Sequence, residues 1–314
     1  MKIFILQLSI SFLLLAGNLC SQQVQVPDYY KVDEEFSKEL YSIVSELDLA
    51  RDFDVGEDGI EQISFAVIDL TSDEPKLGGV NYKNFIYPAS VYKMYVAAEI
   101  LHQVSEGKYS LYQSYVANEP NIVDRKSEIS TDPRSLLKEG DTVNVNYLLD
   151  LMITRSDNSA SNCLIDIAQR RNIDSLLHLY GWYGSEVTRK FLKRKFEDPG
   201  YENIRGTETC ALHAADFMYK IYTNSLVNEW VSLQLKTLLG RQLDKSKLAQ
   251  GLPHNAMFYH KTGWFSYWTN DVGIVVDGKV KYIVACFIPL EEDLALPKFK
   301  ILSQKVYELI KSRY

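Results

Sequence analysis

The sequence predicts an α+β protein in which both chain ends share one sheet layer and an all-helical lobe is inserted between them. Three observations predict it. The chain opens on a helix pattern followed by a strand, runs through a long middle of helical periodicity, and ends on three strand patterns and a last helix. No Pro/Gly/Ser linker and no internal repeat divides it, so 22–314 is read as one domain. The α/β lobe is placed at about 30–88 and 250–314 and the helical lobe at about 89–249, with the crevice between lobes as the natural site.

In chain order, Met1-Lys2 precedes the apolar run IFILQLSISFLLLAG, which stops at Gly17 and gives way to Ser21-Gln22-Gln23. A membrane-spanning helix needs about 20 largely apolar residues. The shorter run reads as a secretory signal peptide at 1–21, cleaved near Cys20 or Ser21. A lipid-acceptor cysteine normally follows a small residue, and Leu19 is not small, so a released periplasmic or secreted protein is expected rather than a lipoprotein. Residues 33–48 then set Phe36, Leu40, Ile43, Val44 and Leu47 on one helical stripe, and QISFAVIDL at 62–70 reads as a buried strand closed by a polar turn.

The middle carries the helical patterns VYKMYVAAEILHQV, VNYLLDLMI, ASNCLIDIAQ, LHAADFMYKIY and WVSLQLKTLL. MFYHKTG, DVGIVVDG and VKYIVACFIPL follow as strands, with Asp277-Gly278 marking a hairpin turn. Phe299, Leu302, Val306, Leu309 and Ile310 then line a closing amphipathic helix.

Composition narrows the function. A net charge of −7 argues against nucleic acid or an anionic membrane as partner. Only Cys163, Cys210 and Cys286 remain after the signal, so the fold does not rest on disulfides. The five histidines are scattered and no cysteine pair has metal-ligand spacing, so no cofactor and no metal is expected.

The chemistry starts at Tyr87-Pro88-Ala89-Ser90-Val91-Tyr92-Lys93, where proline suits a helix start. In a helix Ser90 and Lys93 share a face. A serine hydroxyl needs a base before it is a nucleophile, and a buried lysine amine beside another cation can serve. Alone, Ser-x-x-Lys arises by chance about once in a chain of this length. Ser156-Asp157-Asn158, on a loop between two helical patterns, and Lys261-Thr262-Gly263, ending a strand pattern, change that. Each tripeptide appears by chance in only about one such chain in twenty.

With these three motifs in order, the sequence resembles the class A β-lactamase and penicillin-binding-protein superfamily, above all its β-lactamase-related serine hydrolases. The likeness runs from the strand at 62–70 to the last helix. It includes Ser156-Asp157-Asn158-Ser159-Ala160-Ser161-Asn162, Gly206-Thr207-Glu208-Thr209, His260-Lys261-Thr262-Gly263-Trp264 and Asn270-Asp271-Val272-Gly273. It implies a five-stranded antiparallel sheet formed by both chain ends.

It also implies roles. Ser90 attacks a carbonyl, and Lys93 helps to activate it. Ser156 relays a proton to the leaving nitrogen, assisted by the charge of Lys261. Asn158 binds the substrate's amide side chain. Lys261 and Thr262, with Gly263 beside them, hold its carboxylate. The backbone N–H groups of Ser90 and Trp264 form the oxyanion hole, and Asp157 is structural. The implied partner is a small β-lactam or peptidoglycan-derived molecule, acted on by a monomer.

Two departures from the family pattern stand out. The Glu-x-x-x-Asn that carries the water-activating glutamate is absent; alignment places Lys193-Arg194 there, and Glu197, Glu202 and Glu208 lack the right neighbours. The arginine expected beyond the Lys-Thr-Gly strand is replaced by Tyr267, Trp268 and Thr269. Acylation is therefore expected, with the route of the deacylating water open.

Three readings follow: a β-lactamase-type acyl-hydrolase; a D-alanyl-D-alanine peptidase or esterase that β-lactams inhibit slowly; and a sensor that stays acylated, which a second membrane segment would favour and the sequence does not supply. Cys163, His213, His254 and His260 read as packing residues, with His260 turned away from Lys261 by strand alternation. The cluster Trp264, Phe265, Tyr267 and Trp268 reads equally as a pocket wall or as packing.

Overall fold

The computed structural model describes residues 24–127, 129–192 and 206–314. The expected signal peptide, Lys193, Arg194, Glu197 and Glu202 lie outside them.

The first element, β1 (Lys31–Val32), leads into α1 (Glu34–Glu46). Asp33 caps that helix by accepting the Phe36 N–H at 2.9 Å. Phe36, Leu40 and Val44 form its buried face, Leu47 reaches the same core beyond its end, and Ile43 is half-buried. A small hairpin, β2 (Asp52–Asp54) and β3 (Ile60–Gln62), precedes the expected buried strand β4 (Ser64–Asp69), which pairs with β5 (Lys76–Val80). Every residue of β4 is buried, as a strand covered on both faces requires.

After β6 (Phe85–Ile86) and a 3-10 turn at Ala89–Tyr92 comes α2 (Lys93–Ser105). This helix is buried nearly all round because α3 (Val145–Thr154), α4 (Asn158–Ala168), α5 (Arg170–Leu179) and α7 (Glu229–Gly240) surround it. A short ribbon, β7 (Ser114–Val116) with β8 (Thr142–Asn144), lies between α2 and α3, and β9 (Thr209–Cys210) pairs with β6. The helix after β9, α6 (Ala211–Tyr222), leaves the helical cluster and covers β4 and the last strands. Its buried Asp216 accepts from Tyr29, Tyr30 and Trp182, tying the start of the described chain to this helix.

The closing strands β10 (Met257–Phe265), β11 (Trp268–Asp277) and β12 (Val280–Ile288) form an antiparallel meander, turned at Gly278 with φ 60°. The final helix α8 (Glu292–Lys311) buries Phe299, Leu302, Val306 and Ile310, and burying each such side chain stabilises by roughly 1.5–3 kcal/mol. Beyond it, Arg313 reaches Asp33, Glu39 and Asp69, joining the C-terminus to α1 and β4.

The main sheet runs β1-β5-β4-β12-β11-β10, so both chain ends do share it. It corrects the expected five-stranded antiparallel sheet: five strands are antiparallel, and β1 adds a sixth, parallel to β5. Two exposed residues, Lys31 and Val32, make that edge, held by Lys31 N–H to Pro75 O and Asp33 N–H to Leu77 O. So short an exposed segment carries no alternation for a sequence pattern to register.

Candidate active site

Three segments converge on one cavity of about 280 Å³, lined by Ser90, Ser156, Thr262, Gly263 and Trp264 from the expected motifs and by Asp244, Ser246 and Glu292 from outside them. Ser90 stands on the 3-10 turn rather than within α2 itself, after Ala89 at φ 46°. The three-residue spacing to Lys93 still puts both side chains on one side, because a 3-10 turn repeats every three residues.

Ser156 leaves α3 at φ 62°, which turns its side chain back toward α2. Asp157 then caps α4, accepting the Ala160 N–H at 2.7 Å, and its second oxygen takes the buried Arg155 guanidinium at 2.8 Å. Burial and the neighbouring Asp124 push the Asp157 carboxyl upward from its ordinary range. Asp157 therefore holds the loop.

The fully buried Lys93 places its Nζ 3.1 Å from Ser156 Oγ and 2.8 Å from Asn158 Oδ1, and also donates to the Ser156 carbonyl. Lys261, also fully buried, places its Nζ 3.1 Å from the same Ser156 Oγ and donates to the Thr262 carbonyl at 2.8 Å. The Ser156 hydroxyl thus sits between two amines. A hydroxyl has one hydrogen to give, and an ammonium has no lone pair to take it. Donation to either amine requires that amine to be unprotonated. The arrangement can pass a proton between a lysine and a group in the cavity through Ser156.

Gly263 fixes how β10 meets the turn that carries Ser90. A Cβ there would lie 2.8 Å from Pro88 O, 2.8 Å from Ser90 N and 2.9 Å from Val91 N. These are backbone atoms that cannot swing aside, so only glycine lets the strand approach the Ser90 N–H. Gly263→Ala is expected to push β10 off the Ser90 turn and, with Ser90 in the nucleophile role that the sequence implies, to slow its acylation by a penicillin by about 100-fold, the scale of a 1 Å misplacement. Stopped-flow acylation rates of the two proteins check it; a loss under threefold would mean the strand does not position the nucleophile.

Other expected residues divide. Asn158 is in place, but Oδ1 is held by Lys93 and Nδ2 by Asp124 at 2.8 Å, leaving one N–H and one lone pair for substrate. Trp264 is exposed and lines the cavity, whereas Trp268 is buried against Tyr87, so the aromatic cluster is part wall and part packing. His260 faces away from Lys261, with Nδ1 2.9 Å from Asp271 and its ring stacked on Phe258. Burial drives its pKa down, and drives that of His213 down to about 4. Cys163 is buried, its thiol pushed up to about 12 by that burial. All three cysteines among the described residues are free. Glu208 pairs its backbone with Glu186 and raises the pKa of Glu61, second to burial, so it serves another part of the fold.

Several site residues were not legible in the motifs. Asp124 accepts from Asn158 N at 2.7 Å and Ser159 N at 2.9 Å, fixing the start of α4. The buried Lys247 stands between Asp244 at 3.0 Å and Glu292 at 2.7 Å, two carboxylates that line the cavity. Burial would lower the Lys247 pKa, but the two carboxylates overcome it and hold the amine charged. Phe191 lies across Lys93, with the ring centroid 4.4 Å from Nζ. Each comes from a loop or a distant helix start without periodicity to announce it.

Residues 48–310 match the profile of the beta-lactamase enzyme family. The extended-spectrum beta-lactamase PER-1 of Pseudomonas aeruginosa is 26% identical over 215 residues, covering 63% of this chain and 66% of that protein. Among solved structures, PBP-A superposes with a TM-score of 0.74 at 18% identity, over 92% of this chain and all of that one. A beta-lactamase from Sphaerobacter thermophilus superposes with a TM-score of 0.73 at 15% identity, covering 88% of this chain and 98% of that one. At those identities the structures speak to the fold alone.

Proposed function

This chain belongs to the beta-lactamase enzyme family, and from that membership we propose that it is an exported, periplasmic or secreted serine acyl-hydrolase that opens the β-lactam amide through an ester on Ser90. The observation that carries the reading is Ser156 Oγ, 3.1 Å from both lysine amines in the cavity that holds Ser90.

Ser90 Oγ adds to the lactam carbonyl carbon while its proton passes to the unprotonated Lys93 amine. The oxyanion forms against the Ser90 N–H and the β10 backbone beyond Gly263. The C–N bond breaks as the nitrogen takes the Ser156 hydroxyl proton, and Lys93 returns a proton to Ser156. The lysine ends unprotonated, and the products are a ring-opened amine and a Ser90 ester. Lys261 keeps positive charge beside Ser156 and, with Thr262, takes the substrate carboxylate. Water then adds to the ester carbonyl, the C–Oγ bond breaks, and Ser90 regains its proton.

A second reading, a D-alanyl-D-alanine peptidase or esterase that β-lactams acylate and release slowly, is favoured by the cavity's acids. Among the described residues the carboxylates lining it are Asp244 and Glu292, both paired with Lys247. Intact-mass spectrometry of the mature protein with benzylpenicillin separates the two. We expect an adduct of the drug's full mass on Ser90 that decays while hydrolysed drug accumulates. A permanent adduct would move the assignment to the second reading, and no adduct at all would overturn both for this substrate.

A further inference from the structure

We propose that Phe191 sets the lifetime of the Ser90 ester by closing one flank of Lys93 to water; the inference rests on the acyl-enzyme reading above.

The ring is placed firmly. Phe191 is buried and stacks on Tyr92, the residue before Lys93, at 4.7 Å between centroids and 11° between planes. Its backbone is held at both polar ends by one side chain: Phe191 N–H donates to Asn162 Oδ1 at 2.7 Å, and Asn162 Nδ2 donates to the Phe191 carbonyl at 3.0 Å. The preceding Lys190 is anchored to Asp166 at 2.8 Å and to Asn121 at 2.9 Å. These contacts come from the 3-10 turn, from α4 and from the loop before β8, so the ring is held from three directions.

The consequence lies at the amine. On one side Lys93 Nζ meets Ser156 O, Ser156 Oγ and Asn158 Oδ1; on another it meets the ring of Phe191. An ordered water needs two to four polar partners. An aromatic face over the amine supplies none and fills the space. Hydrolysis of the ester needs a water within hydrogen-bond reach of a base while it contacts the ester carbon. That water gives one proton to the base and its oxygen to the carbonyl carbon, the C–Oγ bond breaks, and Ser90 Oγ takes up a proton. Among the described residues, Lys93 is the base this reading assigns, three residues from Ser90 along the chain. With Phe191 over it, the approach is slow, whereas acylation needs no water. Phe191 is thus a positioning residue for solvent, set to lengthen the ester's lifetime.

The test measures acylation and deacylation separately, by rapid mixing with benzylpenicillin and by intact mass after removal of free drug. Phe191→Ala is expected to shorten the adduct's lifetime at least tenfold while the acylation rate changes less than threefold. Phe191→Leu, apolar and nearly as bulky, is expected to keep the wild-type lifetime. Should the alanine variant fail to fold, Phe191→Val carries the same expectation with a threefold shortening. An unchanged lifetime in the small variants, or acylation and deacylation falling together, would overturn the assignment. Wild-type protein that forms no adduct would instead remove the acyl-enzyme reading on which it stands.

Discussion

Ser90→Ala is expected to leave no covalent adduct with any β-lactam and to lower turnover by about six orders of magnitude, the scale on which serine hydrolases lose activity without their nucleophile. The large effect follows from the division of labour at the cavity. The backbone N–H of residue 90 survives the substitution, as do Gly263, Thr262 and Lys261, so the substrate still finds its place; what disappears is the atom that forms the bond. No other side chain takes over easily. Cys163 is buried with its thiol pushed up to about 12. The other hydroxyls among the described residues on the cavity wall are Ser156, whose oxygen is held between two amines, Ser246, which donates to Asp244, and Thr262. Peptide mapping after prolonged exposure to benzylpenicillin checks both: an adduct persisting on Ser156 would exchange the two serines' roles, and one elsewhere would remove the site. Retained binding, read by calorimetry, separates lost chemistry from a lost pocket.

The sequence exposed this much of the site because the reacting groups are tied to local order. Ser90 and Lys93 are three residues apart on one helical turn, Ser156 opens a capped helix, and Lys261 lies on a strand whose alternation sends His260 the other way. Each is readable from a few neighbouring residues. Asp124, Lys247, Glu292 and Phe191 come to the surroundings of the site only because the chain folds back on itself, and nothing in their own neighbourhoods marks them. The departures at the glutamate and arginine positions were visible as absences, but the phenyl ring over Lys93 and the carboxylate–lysine–carboxylate cluster beside the cavity are tertiary facts. The sheet shows the same division. Four strands announce themselves through apolar runs, whereas β5 is a short glycine-bearing segment and β1 is two exposed residues held by backbone bonds to its neighbour.

The second large effect concerns Lys93. Lys93→Ala is expected to slow acylation of Ser90 by about 10³-fold, within the range general-base catalysis contributes. Two losses combine in that number. Ser90 loses the nearby amine that could take its proton, and the Ser156 hydroxyl loses one of the two amines that flank it, leaving only Lys261, whose position beside Thr262 suits a lasting positive charge. The same change strips buried acceptors, Ser156 O and Asn158 Oδ1, of a donor, at a cost of about 1–3 kcal/mol for each one left unpaired. Lys93→Ala is therefore expected to melt several degrees below the wild type, and a slow rate alone would not identify a base. Lys93→Met keeps the volume under Phe191 while removing the amine, so it should match the alanine variant in acylation rate. Lys93→Arg keeps a donor and a charge but offers no practical lone pair at neutral pH. If arginine restored acylation to within tenfold of wild type, Lys93 would be acting through its charge and hydrogen bonds. If all three variants are slow while the arginine variant keeps the wild-type melting temperature, the residue's contribution is the proton it accepts.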